Sequence, residues 1–240
     1  MVLSPHVALG APIMASVVVG ASMLTAAANL QPLVTTQETF AMPSIAAFTP
    51  DVKPGDFDKA MAAVFAAEGG FSNDPDDPGG ATNYGMSIRE VQRLDADGQL
   101  RGFLREQFDA NHDGRITAQD VNLWTRELAR TFYRKFYFDM ARCGELPGPV
   151  ALIVFDSAVN EGVTTAARHL QGALGVPVDG IIGTKTIESA WAWKIRAGDL
   201  RPEEEIYISR IGRYVTLNKA WKYAEGWARR SFRVLKASQS

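Results

Sequence analysis

The amino-acid sequence predicts a mainly α-helical fold from residue 56 onward. Over most of that length apolar residues recur every three or four positions, which is the spacing of a helix that buries one face. Strand-like alternation is limited to a short stretch at residues 82–87, and no internal repeat is present. With 46% hydrophobic and 22% charged residues, the chain has the composition of a soluble protein with a proper core.

The first predicted helix carries an apolar stripe made of Phe57, Met61, Val64 and Phe65. We expect it to end at Glu68, because Gly69 and Gly70 follow and glycine commonly terminates helices. A second, long amphipathic helix is predicted from a stripe formed by Val121, Trp124, Leu128, Phe132 and Phe136. Further helices are predicted at residues 149–160, 164–174, 184–197, 202–218 and 221–235.

Net charge narrows the classes of partner. The net charge of −2 argues against a dedicated nucleic-acid-binding protein, because such proteins are usually basic. Residues 206–240 nevertheless contain eight Lys or Arg and one acid, Glu225, so this end is either attracted to anionic wall polymers or lipid headgroups, or forms a solvated helical face. The single cysteine, Cys143, cannot form an intrachain disulfide, and we expect a buried or merely tolerated thiol rather than a nucleophile.

Residues 1–52 differ from the rest and are predicted to be a hydrophobic N-terminal helix followed by a linker. No Lys or Arg precedes Lys53, and residues 7–34 are almost all apolar or small, long enough to cross a bilayer. Three interpretations stay open: a secretory signal cleaved near Ala27, an uncleaved signal anchor, or an arm packed in a larger assembly. The first two make the membrane a partner through residues 7–34.

Glu68 is the strongest candidate for a catalytic residue. A carboxyl group at the C-terminal end of an apolar helix meets the negative end of the helix dipole and loses water, and both effects favour its protonated form. A general acid in glycoside hydrolysis needs that property, together with a second carboxylate across the scissile bond. The polar loop after Glu68 supplies Asp74, Asp76 and Asp77. The alternative is a helix cap followed by an acidic loop.

The run from residue 68 to 87, EGGFSNDPDDPGGATNYGMS, resembles the signature of the lysozyme-like family 108 glycoside hydrolases, which are N-acetylmuramidases. The resemblance implies that Glu68 is the proton donor. The spacing is also similar to that of phage-type lysozymes, which implies that Asp77 is the second catalytic group. In that pattern Asn83 occupies the place of a water-positioning Thr, a role that Thr82 could take instead. Thr82, Asn83 and Tyr84 are therefore expected to bind substrate.

Residues 109–120 fit the twelve-residue EF-hand calcium loop. The expected ligands are Asp109, Asn111, Asp113, the carbonyl of Arg115 and Asp120. Asp120 stands at the last loop position, where a Glu usually coordinates the ion through both carboxylate oxygens. The shorter Asp makes such bidentate coordination less favourable. The sequence predicts a structural Ca²⁺, with a metal-free turn held by side-chain hydrogen bonds as the alternative. No cofactor is expected for catalysis.

Three runs in the C-terminal part, at residues 155–162, 169–176 and 178–186, resemble the type 3 peptidoglycan-binding domain that accompanies family 108. We expect this part to form the second lobe of a two-lobed lysozyme-like fold. Asn160 and Glu161 either line a sugar groove or cap a helix end. The predicted organisation is an N-terminal segment at 1–52, a catalytic region at 53–144 and a wall-binding lobe at 145–240.

The sequence thus predicts an N-acetylmuramidase that cleaves the β-1,4 bond between N-acetylmuramic acid and N-acetylglucosamine in bacterial peptidoglycan. It would serve as a phage-like endolysin or a wall-remodelling enzyme in the cell envelope, periplasmic or anchored facing the periplasm, or carried on a virion. The rival is a non-catalytic wall-binding or virion structural protein with the same fold. A calcium sensor fits less well, since one complete loop without a paired EF-hand is a poor switch.

Overall fold

The computed structural model describes residues 52–65, 71–73, 80–193, 199–217 and 220–239. Within these ranges the chain is mostly helical, which confirms the predicted fold class. The predicted N-terminal hydrophobic helix, Glu68 and Asp77 lie outside the described residues. No helix among the described residues combines the length and the apolar character needed to cross a bilayer.

The N-terminal half contains five helices and one hairpin within the described ranges. Their bounds are α1 Phe57–Phe65, β1 Thr82–Asn83, β2 Met86–Ser87, α2 Ile88–Ala96, α3 Phe103–Phe108, α4 Ala118–Val121 and α5 Arg126–Tyr133. Helix α1 begins after Asp56, whose carboxylate accepts hydrogen bonds from the backbone N–H groups of Asp58 and Lys59. Helices α2 and α3 were not predicted, because α2 has as many charged residues as apolar ones and α3 is only six residues long.

The prediction of one long helix from Val121 onward is wrong, because the chain forms two separate helices in this region. Helix α4 ends at Val121, and α5 starts only after Thr125, whose hydroxyl accepts a hydrogen bond from the backbone N–H of Leu128. A Thr at this position caps a new helix more favourably than it extends an old one. The break leaves backbone carbonyls free for other partners, which Asn83 uses as described below.

The C-terminal half is built around one helix that is buried on nearly all sides. Its elements are a 3₁₀ turn Cys143–Glu145, α6 Gly148–Glu161, α7 Val163–Leu174, α8 Thr184–Trp191, α9 Pro202–Tyr214 and α10 Ala220–Ser238. Every residue of α6 from Val150 to Ala158 is buried, and α7, α9 and α10 pack against it. Helices α8 and α9 end earlier than predicted, at Trp191 and Tyr214.

Both halves contribute to one hydrophobic core. The rings of Phe57 and Phe138 lie 5.2 Å apart between centroids, and the ring of Phe155 lies 5.6 Å from that of Phe138. The backbone at Gly55 lies directly against the 3₁₀ turn, since an added Cβ there would lie 2.2 Å from the carbonyl oxygen of Cys143. The thiol of Cys143 is buried, as predicted. The core therefore crosses the expected boundary between residues 144 and 145.

Candidate functional site

The hairpin formed by β1 and β2 lies immediately after the segment that carries the predicted catalytic residues. Tyr84 and Gly85 connect its strands, and both have positive φ angles, 49° and 76°. This is the pattern of a type I′ turn, in which glycine at the second position removes the steric cost. Ser72 pairs with Thr82 through two backbone hydrogen bonds of 2.8 and 2.9 Å. Ser72 is thus held against strand β1 of the hairpin.

Asn83 lies in the hairpin, but its amide is already bound to the protein. Its side chain is buried and donates hydrogen bonds to the carbonyl oxygens of Val121 at 2.9 Å and Trp124 at 3.3 Å. These are carbonyls at the break between α4 and α5. Asn83 therefore ties the hairpin to that break, an arrangement better suited to positioning the hairpin than to contacting a sugar.

Tyr84 and Thr82 are partly exposed. The carbonyl oxygen of Tyr84 accepts a hydrogen bond of 3.2 Å from the hydroxyl of Tyr133 in α5. The turn of the hairpin is therefore held against α5, and Gly85 at its tip faces a groove.

The groove runs between α2, the end of α5 and the junction of α6 with α7, and we call it the α2–α7 groove. It has a volume of about 560 Å³, within the range of small-molecule sites. Its polar lining includes Ser87, Glu90, Arg93, Tyr137, Glu161 and Thr164. Of the sequence-predicted substrate-binding residues, only Glu161 lines it.

A π-helical turn, Arg134–Phe138, supplies the aromatic wall of the groove. π-Helical turns are rare in proteins, and those that occur are often found at functional sites. Phe136 packs into the core, whereas Tyr137 is partly buried. Burial raises the pKa of the Tyr137 hydroxyl well above its ordinary value, and the charge of Glu90 acts in the same direction. The hydroxyl is therefore a hydrogen-bond donor at any physiological pH.

Glu90 and Arg93 form a charged pair on the opposite wall. The guanidinium of Arg93 donates to both oxygens of Glu90, at 3.0 Å from Nε and 2.9 Å from Nη2. Its Nη1 donates to Asp97 at 2.7 Å. The hydrogen bonding that Arg93 donates to Glu90 is the main reason that the pKa of Arg93 lies above its ordinary value. The positively charged guanidinium of Arg93 thus orients the carboxylate of Glu90.

Glu161 stands at the C-terminal end of α6, with its side chain 4% exposed. Its carboxylate accepts a hydrogen bond of 2.8 Å from Nε of Arg210 and lies 3.3 Å from Nε2 of His169. Burial alone would raise the pKa of Glu161, but the hydrogen bond with His169 and the charge of Arg210 outweigh it and lower that pKa. Glu161 is therefore ionised at neutral pH.

Asn160 is exposed, and its amide donates a hydrogen bond of 2.6 Å to the carbonyl oxygen of Asp156 in its own helix. The structure thus places the two neighbouring candidates differently, Glu161 on the groove wall and Asn160 outside the groove lining.

The calcium-type loop is held together by its own side chains. Asp109, which is buried, accepts hydrogen bonds from the backbone N–H groups of Asp113 at 3.1 Å and Gly114 at 3.0 Å. Asp120, also buried, accepts from the backbone of Asn111 and Thr117, at 3.0 and 2.7 Å. Nowhere in the described ranges do three or more His, Cys, Asp or Glu side chains converge as a metal site requires. These carboxylates bind the backbone of their own loop, and the calcium site stays a prediction of the sequence pattern.

Sequence reasoning missed Glu90, Arg93 and Tyr137. The only available signal was the i, i+3 and i, i+4 spacing of Glu90, Arg93 and Asp97, which marks a helical surface with ion pairs. That spacing says nothing about a groove, because the opposite wall comes from residues more than forty positions away.

Comparisons with known proteins find a similar family and a similar fold. A family model described as Glycosyl hydrolase 108 matches residues 61–162. Among solved structures, that of Brucella abortus SagA is similar, with a TM-score of 0.62 and 29% sequence identity, covering 76% of this chain and 93% of that chain. No curated protein matches the chain significantly. The family resemblance is thus confirmed for residues 61–162, which include the hairpin and most of the groove, while the C-terminal wall-binding domain stays a prediction.

The lowered pKa of Glu161 gives a prediction about stability. Glu161→Gln should lower the free energy of unfolding at pH 7 by about 3 kcal/mol, because it leaves the buried Arg210 with one carboxylate partner fewer. A carboxyl group with a depressed pKa stabilises the folded state above its unfolded pKa of about 4.3, and that contribution is lost as pH falls further. Urea denaturation should therefore show a gap between wild type and variant that narrows in acid.

The matched control is Glu188→Gln, since Glu188 is exposed and forms no ion pair with any other residue that the structure describes. It should change stability by no more than about 0.5 kcal/mol. A gap for Glu161→Gln that widens in acid would contradict the pKa direction.

For the loop at residues 109–120, the sequence pattern predicts that millimolar Ca²⁺ raises the Tm relative to a sample in EGTA, because a ligand that binds only the folded state stabilises it. Mg²⁺ at the same concentration is the control. An unchanged Tm would leave the hydrogen-bonded, metal-free turn as the correct description.

Proposed function

We propose that this protein is a peptidoglycan hydrolase of the N-acetylmuramidase type, with Glu68 as its general acid. The observation that carries the proposal is the family match over residues 61–162, which includes Glu68, the hairpin and the residues of α2 that line the groove. In the chain, Glu68 follows the last residue of α1 by three positions and precedes Ser72, which pairs with the hairpin, by four.

The chemistry follows from two carboxyl groups with different tasks. Glu68 would protonate the glycosidic oxygen as the bond to the anomeric carbon breaks, and Asp77 would stabilise the oxocarbenium-like state or orient the attacking water. The apolar face of α1, with Phe57, Met61 and Val64 buried, favours a protonated carboxyl group beyond its end. The volume of the groove beside the hairpin, about 560 Å³, would accommodate part of a glycan chain.

The C-terminal half, residues 145–240, would complete the wall-binding surface. Its helices share a core with the N-terminal half, which supports a role as the second lobe of one fold rather than an independent module. We place the activity in the cell envelope, where peptidoglycan lies. Residues 1–52 would determine whether the protein is secreted, anchored or carried on a virion.

Glu68→Gln should abolish lysis in a zymogram on purified peptidoglycan, with a loss of about a hundredfold or more, because Gln cannot donate the proton. Circular dichroism should show an unchanged helical spectrum, and Glu188→Gln should lyse as wild type does. Asp77→Asn should cost less, and an unchanged rate in that variant would point to Asp74 or Asp76. Full activity of Glu68→Gln would remove the acid assignment, and a wild type that binds the wall without cleaving it would favour the non-catalytic rival.

A further inference from the structure

We propose that the outer surface of the helix pair α9 and α10 docks on a lipid bilayer that contains anionic phospholipid. We call this surface the α9–α10 face, and it is formed by three apolar and three basic residues, namely Ile208, Val215, Phe232, Arg229, Arg233 and Lys236. None of these residues lines the α2–α7 groove. The inference therefore does not depend on the proposed enzymatic activity.

Helices α9 and α10 lie side by side in opposite directions. Near the start of α9, the ring of Tyr207 lies 6.3 Å from that of Phe232 in the second half of α10. At the end of α9, the ring of Tyr214 lies 5.3 Å from that of Trp227 in the first half of α10. The outer flanks of the two helices therefore form one continuous surface.

The α9–α10 face exposes large apolar side chains. Ile208 is 50% exposed, Val215 is 65% exposed and Phe232 is 57% exposed. Ile208 and Val215 are two helical turns apart, so both lie on the same flank of the chain through α9. The contact with Tyr207, the neighbour of Ile208, brings Phe232 beside that flank. Single exposed apolar residues are ordinary, whereas several on one surface mark a contact site.

Positive charge is concentrated at the same end of the chain. Residues 206–240 contain eight Lys or Arg and one acid, which gives this segment a net charge of +7. Because the whole chain carries −2, the other residues together carry −9. Such an asymmetry orients the protein with this end toward an anionic surface.

Two of these cations are used inside the protein. Arg210 has no exposed surface and is paired with Asp156 and Glu161, and Arg230 is 17% exposed and lies 2.9 Å from Asp156. These two therefore contribute to the fold of the C-terminal half rather than to its surface charge.

The exposed cations of α10 lie on the side that carries Phe232. Arg229, Arg233 and Lys236 follow one another at spacings of four and three residues, which places them along one side of the helix. Arg229 donates a hydrogen bond of 2.7 Å to Glu225. Neither Arg233 nor Lys236 forms an ion pair with any residue that the structure describes. Their charges are therefore available to an external partner.

The combination of apolar and basic side chains favours a bilayer over other partners. A wall polymer would neutralise the cations but would leave Ile208, Val215 and Phe232 in water. A bilayer accepts both, because its anionic headgroups attract Lys and Arg and its acyl boundary receives apolar side chains. A second copy of the chain would cover the apolar residues, but it would bring the cations of two identical faces together.

The single cysteine allows a local readout of docking. Cys143 is buried, and burial raises the pKa of its thiol, so a Cys introduced at the surface reacts selectively with a thiol-directed dye. Val215→Cys and Ile181→Cys would each carry nitrobenzoxadiazole at an exposed apolar position, but only the first position belongs to the α9–α10 face. The dye brightens and its emission moves to shorter wavelength when it leaves water.

Vesicles of phosphatidylcholine mixed with phosphatidylglycerol are the probe, and the full chain is the protein. The emission of the dye at position 215 should rise about twofold or more, because this position enters the interface, while that at position 181 stays unchanged. Vesicles of phosphatidylcholine alone should give a much weaker response, and added salt should reduce the response to the anionic vesicles.

Three results would overturn the proposal. An unchanged dye at position 215 on vesicles that carry the protein would show attachment through another segment, such as residues 7–34. A response that grows with protein concentration in the absence of vesicles would show that a second copy covers the face. A response to purified wall polymer and none to vesicles would assign the face to the wall.

Matched variants in the dye-labelled Val215→Cys chain locate the contact. Lys236→Gln should weaken vesicle binding about fivefold, since each cation near an anionic surface contributes about 1 kcal/mol. Phe232→Gln should weaken it about tenfold, because an aromatic side chain no longer leaves water. The controls are Lys185→Gln and Ile181→Gln, which change exposed residues outside the face and should leave binding unchanged. Equal losses in variants and controls would contradict the assignment of the face.

Discussion

The guanidinium of Arg210, which has no exposed surface, is the interaction on which the C-terminal half depends. It lies 2.9 Å from a carboxylate oxygen of Asp156 and donates a hydrogen bond of 2.8 Å to Glu161, both on α6. Removing either partner from such a buried pair is costly, because an uncompensated charge remains. This buried contact therefore joins α9 to α6 and holds the side chain of Glu161 in place at the end of α6.

The groove follows from this docking and from the single core. Helix α6 is buried along most of its length, so only its last residues reach the surface, where the chain turns at Gly162 into α7. On the other side, the type I′ turn and the amide of Asn83 hold the hairpin and the start of α2 in place. The groove is thus a space between two rigid walls, which suits a site that must orient a sugar.

The sequence predicts those parts of the molecule that depend on local pattern. Helical periodicity locates α1, α6 and α7 closely, because each buries a continuous apolar face. It fails at Thr125, where a side-chain cap outweighs an apolar stripe that continues through the break. It also fails at Glu90 and Tyr137, since nothing local shows that α2 will face a π-helical turn whose Tyr137 lies 47 positions after Glu90. Asn83 was recognised by its place in the motif, but its hydrogen bonds to a helix break could not be read from that motif.

The most direct test of the central claim is the chemical identity of the ends produced from purified peptidoglycan. After digestion with the full chain and reduction with borohydride, the account predicts that the new reduced ends are derived from N-acetylmuramic acid. New ends derived from N-acetylglucosamine, or no new reducing ends at all, would contradict it.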